Sequence, residues 1–287
     1  VTTHLDLSNI EEFTFEADPC TITSSKLKLL KQAGVSRVSI GSQSLNDVTL
    51  AEMNRIHRAK DIVEMIPLLY QQGLSNLNCD FIVGWPGQTF DDVDLFIGFL
   101  EERNIAHCSC YVLGVEDDTP LKVQLADGTQ QLPPDDMTAD LYHHFRLHAQ
   151  KIGLIQYELS NFARPGFESK HNQAYWRHKP YIGLGAGAVS YDGAIRSKNT
   201  TNIQTYTETP QANRESETLS EQDRLNEVIM LSLRTSDGLD EGLLNSQHLV
   251  IIDRLIVSGF MKKHGHKYFI NPQHYCIANS IIADLIQ

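Results

Sequence analysis

The chain has 287 residues, with 36 Asp and Glu against 24 Lys and Arg and a formal net charge of −12. That length suits one large α/β unit with a small appendage, or two ordinary domains. The acidity argues against a nucleic-acid partner or an anionic membrane surface, and the absence of any apolar run of about 18 residues argues against stable membrane insertion.

The opening VTTHLDLSN has neither the basic nor the apolar part of a signal peptide, so the sequence reads as cytoplasmic. Strand-like runs follow at EEFTFEA (11–17), RVSIGSQ (37–43), LNCDFIVG (77–84) and HCSCYVL (107–113), with amphipathic helical stretches between them. Such alternation predicts parallel βαβ units. Thr23 or Ser24 can cap a helix ending at Gly34, and Thr89 precedes FDDVDLFIGFLEER with acids in its first turn. Pro67 inside DIVEMIPLLYQQG predicts a kink or a break. QLADGTQQLPPDD (124–136) reads as a loop, followed by a helix from about Met137 to Lys151.

After Gly153 a strand-like IQYELSNFA leads to HNQAYW (171–176), a Gly-rich apolar segment, and a polar connection TPQANRESETLSEQDR (209–224). Three helical patterns, a hairpin turning near Gly265 and a closing helix then resemble a small winged-helix unit. The expected division is 1–152 for a partial βα barrel, 153–215 for a connecting region, and 216–287 for a C-terminal helical domain.

Five scattered cysteines, Cys20, Cys79, Cys108, Cys110 and Cys276, read as reduced thiols, and no CxxC pair is present to build a metal site. His144 and His148 share a helical face, but position 145 is Phe rather than Glu, which disfavours a zinc reading. Gly183, Gly185 and Gly187 lack the strand-turn-helix setting of a dinucleotide site, so close backbone packing is the expectation there.

Alternation along the strands sorts their side chains by face. Glu12, Thr14 and Glu16 oppose Phe13 and Phe15; Arg37, Ser39, Gly41 and Gln43 oppose Val38 and Ile40; Asn78 and Asp80 oppose Cys79, Phe81 and Val83. Three polar faces in succession predict a shared lumen or cleft, with Glu16, Gln43 and, somewhat deeper, Asp80 toward the C-terminal ends where barrel enzymes hold their sites. Arg55 is a candidate cation for the same cleft. The competing reading is that these groups pair with one another as structural glue.

The motifs FEADP, RVSIGSQSLND, DFIVGWPGQT and YELSNFARPGFESKHNQAYW, followed by YIGLGAGA, resemble the oxygen-independent coproporphyrinogen III oxidase-like family of radical S-adenosylmethionine (SAM) proteins, and within it the heme-chaperone branch. The resemblance covers essentially the whole chain. It implies an α/β fold, a partial TIM-like radical SAM barrel with a C-terminal helical, winged-helix-like domain, and a [4Fe-4S] cluster held by three cysteines with SAM on the fourth iron. By position, Glu16, Gln43, Arg55, Asp80 and Gly114 match family residues around SAM. The family's CxxxCxxC and GGGTP segments belong to two earlier βα units, and neither occurs in this chain, which begins at Val1 just before the third strand. The expectation is a chain that does not itself carry the cluster or cleave SAM.

His171, Asn172, Tyr175 and Trp176 match the HNxxYW motif that the resemblance associates with heme, with His171 as the candidate iron ligand. Imidazole suits heme iron and aromatic rings can stack on a macrocycle, although a His among aromatics also serves as a packing residue. Many relatives have His after GAGA where this chain has Val189. The resemblance implies a heme carrier that delivers to an acceptor protein. The alternative is an oxygen-independent coproporphyrinogen III oxidase, a radical SAM decarboxylase, and a folded remnant without ligand stays open beside both.

Overall fold

The computed structural model describes residues 8–286 and separates into two compact units, the division falling between Glu168 and Ser169. In the first, the order is β1 (Thr14–Ala17), α1 (Ser24–Gln32), β2 (Arg37–Gln43), α2 (Asp47–Glu52), α3 (Ala59–Gln71), β3 (Asn76–Val83), α4 (Phe90–Glu102), β4 (His107–Val112), α5 (Pro120–Ala126), α6 (Asp135–Lys151), β5 (Ile155–Gln156) and β6 (Asn161–Ala163). The sheet runs β1-β2-β3-β4-β6-β5, parallel through β4 and antiparallel at β6 and β5. It is a partial barrel-like sheet covered by helices.

Register builds the core. Ala17, Ile40, Cys79, Cys108 and Phe162 are successive partners across five strands, all buried, with Phe81 and Cys110 one step further on. Phe96 of α4 and Phe145 of α6 stack on Phe81 at 4.4 and 5.6 Å between ring centroids, and Phe162 meets Phe145 edge-on at 5.3 Å. Burying each such ring contributes about 2–3 kcal/mol. Thr23 caps α1 by accepting from the Lys26 amide at 3.3 Å, and Asp92 in the first turn of α4 accepts from the Thr89 amide at 2.8 Å.

Several elements depart from the sequence reading. EEFTFEA forms a strand only over Thr14–Ala17, an edge strand among the described residues. α3 runs unbroken through Pro67, whose ring lies on the exposed side of the helix, so the lost amide bond faces water rather than the core. The polar stretch read as a loop from 124 holds the last turn of α5. IQYELSNFA is two short strands, because Glu158 accepts from the Ser160 amide at 3.0 Å and turns the chain between them.

The second unit contains α7 (Lys170–Trp176), β7 (Val189–Tyr191), β8 (Ile195–Lys198), α8 (Ile203–Glu208), β9 (Glu215–Thr218), α9 (Glu221–Ser232), β10 (Leu239–Asp240), α10 (Ser246–Val257), β11 (Met261–His264), β12 (Lys267–Ile270) and α11 (Ala278–Ala283). β7-β8-β9 form one antiparallel sheet, so the polar 209–224 stretch contains a paired strand rather than only a connection. β11 and β12 form the hairpin around Gly265, with β10 added beside β12, and α9, α10 and α11 complete a winged-helix-like arrangement. No described helix is long and apolar enough to cross a membrane.

The Gly-rich segment packs backbone on backbone. A Cβ at Gly183 would lie 2.1 Å from the Val189 carbonyl oxygen, next to the bridge in which Tyr181 and Tyr191 exchange amide bonds of 2.8 and 2.9 Å. Gly183→Ala is therefore expected to destabilise the second unit by about 1–3 kcal/mol, read as a lower urea midpoint. An unchanged midpoint would refute this close approach.

Candidate functional site

The polar face of the first unit's sheet is a connected hydrogen-bond array. Register places Glu16, Ser39, Asn78 and His107 as successive partners on four strands, and Asp80 opposite Ser109, which pairs with Asn161. Asp80 thus lies two residues nearer the C-terminal edge than the level of Glu16, not deeper. Asn78 Nδ2 donates to Ser39 Oγ and to Asp80 Oδ1, each at 2.7 Å, which leaves Asn78 Oδ1 as an acceptor for His107 Nδ1 at 2.6 Å. His107 Nε2 then accepts from the Tyr157 hydroxyl at 2.8 Å. Ser109 Oγ donates to Asn161 Oδ1 at 2.7 Å, and Asn161 Nδ2 donates to Glu158.

Electrostatics follow from burial. His107 is fully buried beside Arg37, and both effects hold its pKa well below the ordinary imidazole value, so it stays neutral. Burial pushes the carboxyls of Asp80 and Glu158 above their ordinary values; for Asp80 the nearby Glu16 adds to the rise, while hydrogen bonds and Arg37 oppose it. Register puts Glu16 level with Asn78, two residues before Asp80 on β3.

The rim of this face is less committed. The side chains of Glu16, Gln43 and Arg55 form no hydrogen bond or ion pair with another described residue, unlike the inner array. A bulge after Ile40 puts Gln43 at φ 62°, and its amide folds back over Gly41, where an added Cβ would lie 3.1 Å from Gln43 Nε2. Arg55 is half-buried in the α2–α3 connection. That connection is tethered to the bulge by buried His57, whose Nε2 donates to the Ser42 carbonyl at 3.2 Å. Beyond β4, Leu113 donates its amide to the Val83 carbonyl at 2.8 Å, which holds the segment leading to exposed Gly114 beside the end of β3. Parity had not singled out His107, Ser109, Glu158 or Asn161; the same alternation in HCSCYV carries the signal for the first two.

In the second unit, Ser169 caps α7 by accepting from the Asn172 amide at 3.2 Å. His171 and Tyr175 are exposed and meet edge to face at 4.9 Å, while Asn172 and Trp176 are half-buried. Tyr175 lies 4.5 Å from Tyr181, and His178 stacks on Tyr191 at 4.6 Å. His178 and Arg196 both donate to Glu227, at 2.8 and 2.7 Å. Partial burial opposes ionisation of Glu227, but these two partners hold its pKa below the ordinary value.

The profile of the radical SAM superfamily matches residues 3–100. The heme chaperone HemW of Lactococcus lactis subsp. lactis is 35% identical over 237 residues, which is 82% of this chain and 62% of the relative. That of Bacillus subtilis is 34% identical over 238 residues, 82% of this chain and 63% of the relative. Over residues 3–100 the chain is similar to the radical SAM superfamily, and over most of its length it is similar to HemW. It spans less than two thirds of the length of these two curated relatives. The solved structure of coproporphyrinogen III oxidase, HemN, from Escherichia coli superposes with a TM-score of 0.79 over 96% of this chain and 70% of that one, at 20% identity, and so shares the fold.

The radical SAM match at residues 3–100 raises SAM and a [4Fe-4S] cluster as candidate groups, and the two fare differently here. The cysteines do not fit a cluster: Cys79, Cys108 and Cys110 are buried in the apolar layer, and no three thiols converge among the described residues. Burial also raises the Cys79 and Cys108 pKa values, opposing the thiolate that iron requires. SAM fits better. The uncommitted carboxylate of Glu16, the amide of Gln43 and the guanidinium of Arg55 supply acceptors and donors for hydroxyl, ammonium and carboxylate groups.

The raised Asp80 pKa has a stability signature. A carboxyl raised by burial favours the fold below its unfolded value of about 3.9, and that contribution is lost as pH rises through the folded value. The stability of Asp80→Asn relative to the unsubstituted protein is therefore expected to increase as pH rises from about 4 across this window, measured by thermal melts at stepped pH. A difference that stays flat with pH would show that Asp80 is not desolvated.

Proposed function

We propose that the protein is a heme carrier on a radical SAM scaffold, working in the cytosol and passing heme to an acceptor protein. The observation that carries this reading is HNQAYW on α7, with His171 and Tyr175 both exposed and the ring of Tyr181 beside Tyr175. The names of the curated HemW relatives support it. Bound heme would supply an iron centre that takes a nitrogen donor; His171 would provide that imidazole, Tyr175 and Trp176 aromatic surface, and Asn172 an amide for the macrocycle's polar edge.

The first unit's part in this reading is to hold SAM. Arg55 would pair with the methionyl carboxylate, Glu16, Gln43 and Asp80 would take hydroxyl and ammonium groups, and the Gly114 backbone would give a further contact. No step is assigned to a cluster, because the cysteines of this chain do not fit one. The oxidase alternative calls for turnover of coproporphyrinogen III rather than carriage of heme.

Hemin titrated into the 287-residue protein is expected to give a saturable, shifted Soret band that His171→Ala abolishes or moves, without decarboxylation of coproporphyrinogen III when SAM is present. An identical band in His171→Ala, or porphyrinogen turnover, would defeat the carrier assignment. In calorimetric titrations with SAM, Glu16→Gln is expected to weaken binding about 10-fold or more, since a hydrogen bond to a charged group contributes about 1.5–3 kcal/mol. Unaltered affinity would remove Glu16 from the SAM site.

A further inference from the structure

α4 and α6 lie on the helical side of the first unit's sheet, where Phe145 of α6 packs on Phe81, away from Asp80 and the polar face. His144 and His148 project from α6 one turn apart, their rings at 88° with centroids 3.9 Å from each other. Both aim at one oxygen of Asp94 on α4: His144 Nε2 is 2.6 Å and His148 Nδ1 3.2 Å from Asp94 Oδ1. One candidate ligand atom from each residue lies within 4.8 Å of the other two.

The His144 imidazole is hydrogen-bonded to that carboxylate oxygen, whereas the contact of His148 Nδ1 with it, at 3.2 Å, is not a hydrogen bond. His148 Nδ1 is buried and makes no hydrogen bond among the described residues. A cation between the three residues removes the mismatch, because both nitrogens become ligands through their lone pairs and the carboxylate balances charge. We infer that Asp94, His144 and His148 form a site for a divalent transition cation of the zinc class, bridging α4 and α6.

Two imidazoles and a carboxylate are donors that zinc accepts, and three protein ligands leave a fourth position for water. With bonds of about 2.0–2.1 Å, tetrahedral geometry puts neighbouring donor atoms about 3.3 Å apart. The His148 to Asp94 separation already matches, and the His144 pair opens by a small rotation of a side chain that is 25% exposed. Phe145, fully buried, stands where a zinc hydrolase helix of the H-E-x-x-H type carries its general base. The site is therefore a clamp between two helices and not a hydrolytic centre.

The test uses the full chain, stripped with chelator and titrated with zinc sulfate or cobalt chloride, reading the visible cobalt spectrum and the thermal midpoint. At 100-fold excess over Kd the midpoint is expected to rise by roughly 5–10 °C. His144→Ala and His148→Ala should each weaken binding more than about 100-fold, since groups merely supporting a metal ligand are worth 10–100-fold. His148→Gln preserves side-chain volume and controls for misfolding, and His171→Ala should keep the full midpoint shift. Equal cobalt binding by the unsubstituted protein and the His144→Ala/His148→Ala protein, or a midpoint insensitive to metal, would overturn the inference.

Discussion

In-register parallel pairing is the constraint on which the first unit depends. Paired residues on neighbouring parallel strands share a face, so the polar members of β1 to β4 have no choice but to stand together once Thr14, Arg37, Asn76 and their successors align. The same register collects Ala17, Ile40, Cys79, Cys108 and Phe162 on the other face, where α4 and α6 bury them. A slip of one residue would put Asp80 among phenylalanines and Phe81 into the polar array.

Within that array a division of labour follows from hydrogen-bond capacity. Asn78 can satisfy Ser39, Asp80 and His107 at once because its amide has two donors and an acceptor, and it makes the inner groups structural. Mutual pairing therefore accounts for Asn78, and it draws in His107, Ser109 and Asn161, which parity had not singled out. It does not extend to Glu16 and Gln43, nor to Arg55 in the α2–α3 connection, whose polar side-chain atoms are uncommitted to other described residues. A bulge at Gln43 and the tether from His57 to Ser42 shape the rim, and neither feature interrupts the core.

The second unit reaches close packing by a different route. Gly183 lets one backbone lie against Val189, and the Tyr181 to Tyr191 bridge aligns aromatic rings whose neighbours include Tyr175 of α7. His178, which stacks on Tyr191, is held together with Arg196 by hydrogen bonds to Glu227. A short capped helix thus carries an exposed imidazole and phenol on a stiff aromatic base, the arrangement on which the heme proposal rests.

Period-two alternation in RVSIGSQ and LNCDFIVG, capping signals at Thr23 and Thr89, and the Gly-rich run were legible from local physics, because each depends only on residues near in sequence. Pro67 misled because a proline's effect depends on whether its side of the helix is wet, which packing decides. The strand inside 209–224 needed a partner elsewhere in the fold, β8. Asp94 is the sharpest case: the sequence argued against zinc at His144 and His148 because position 145 is Phe, while the acid that meets both lies 50 residues before His144 on another helix. Alternation, caps and turns are properties of neighbours along the chain and can be read there; which distant side chains converge on one oxygen is set only when helices pack on a sheet.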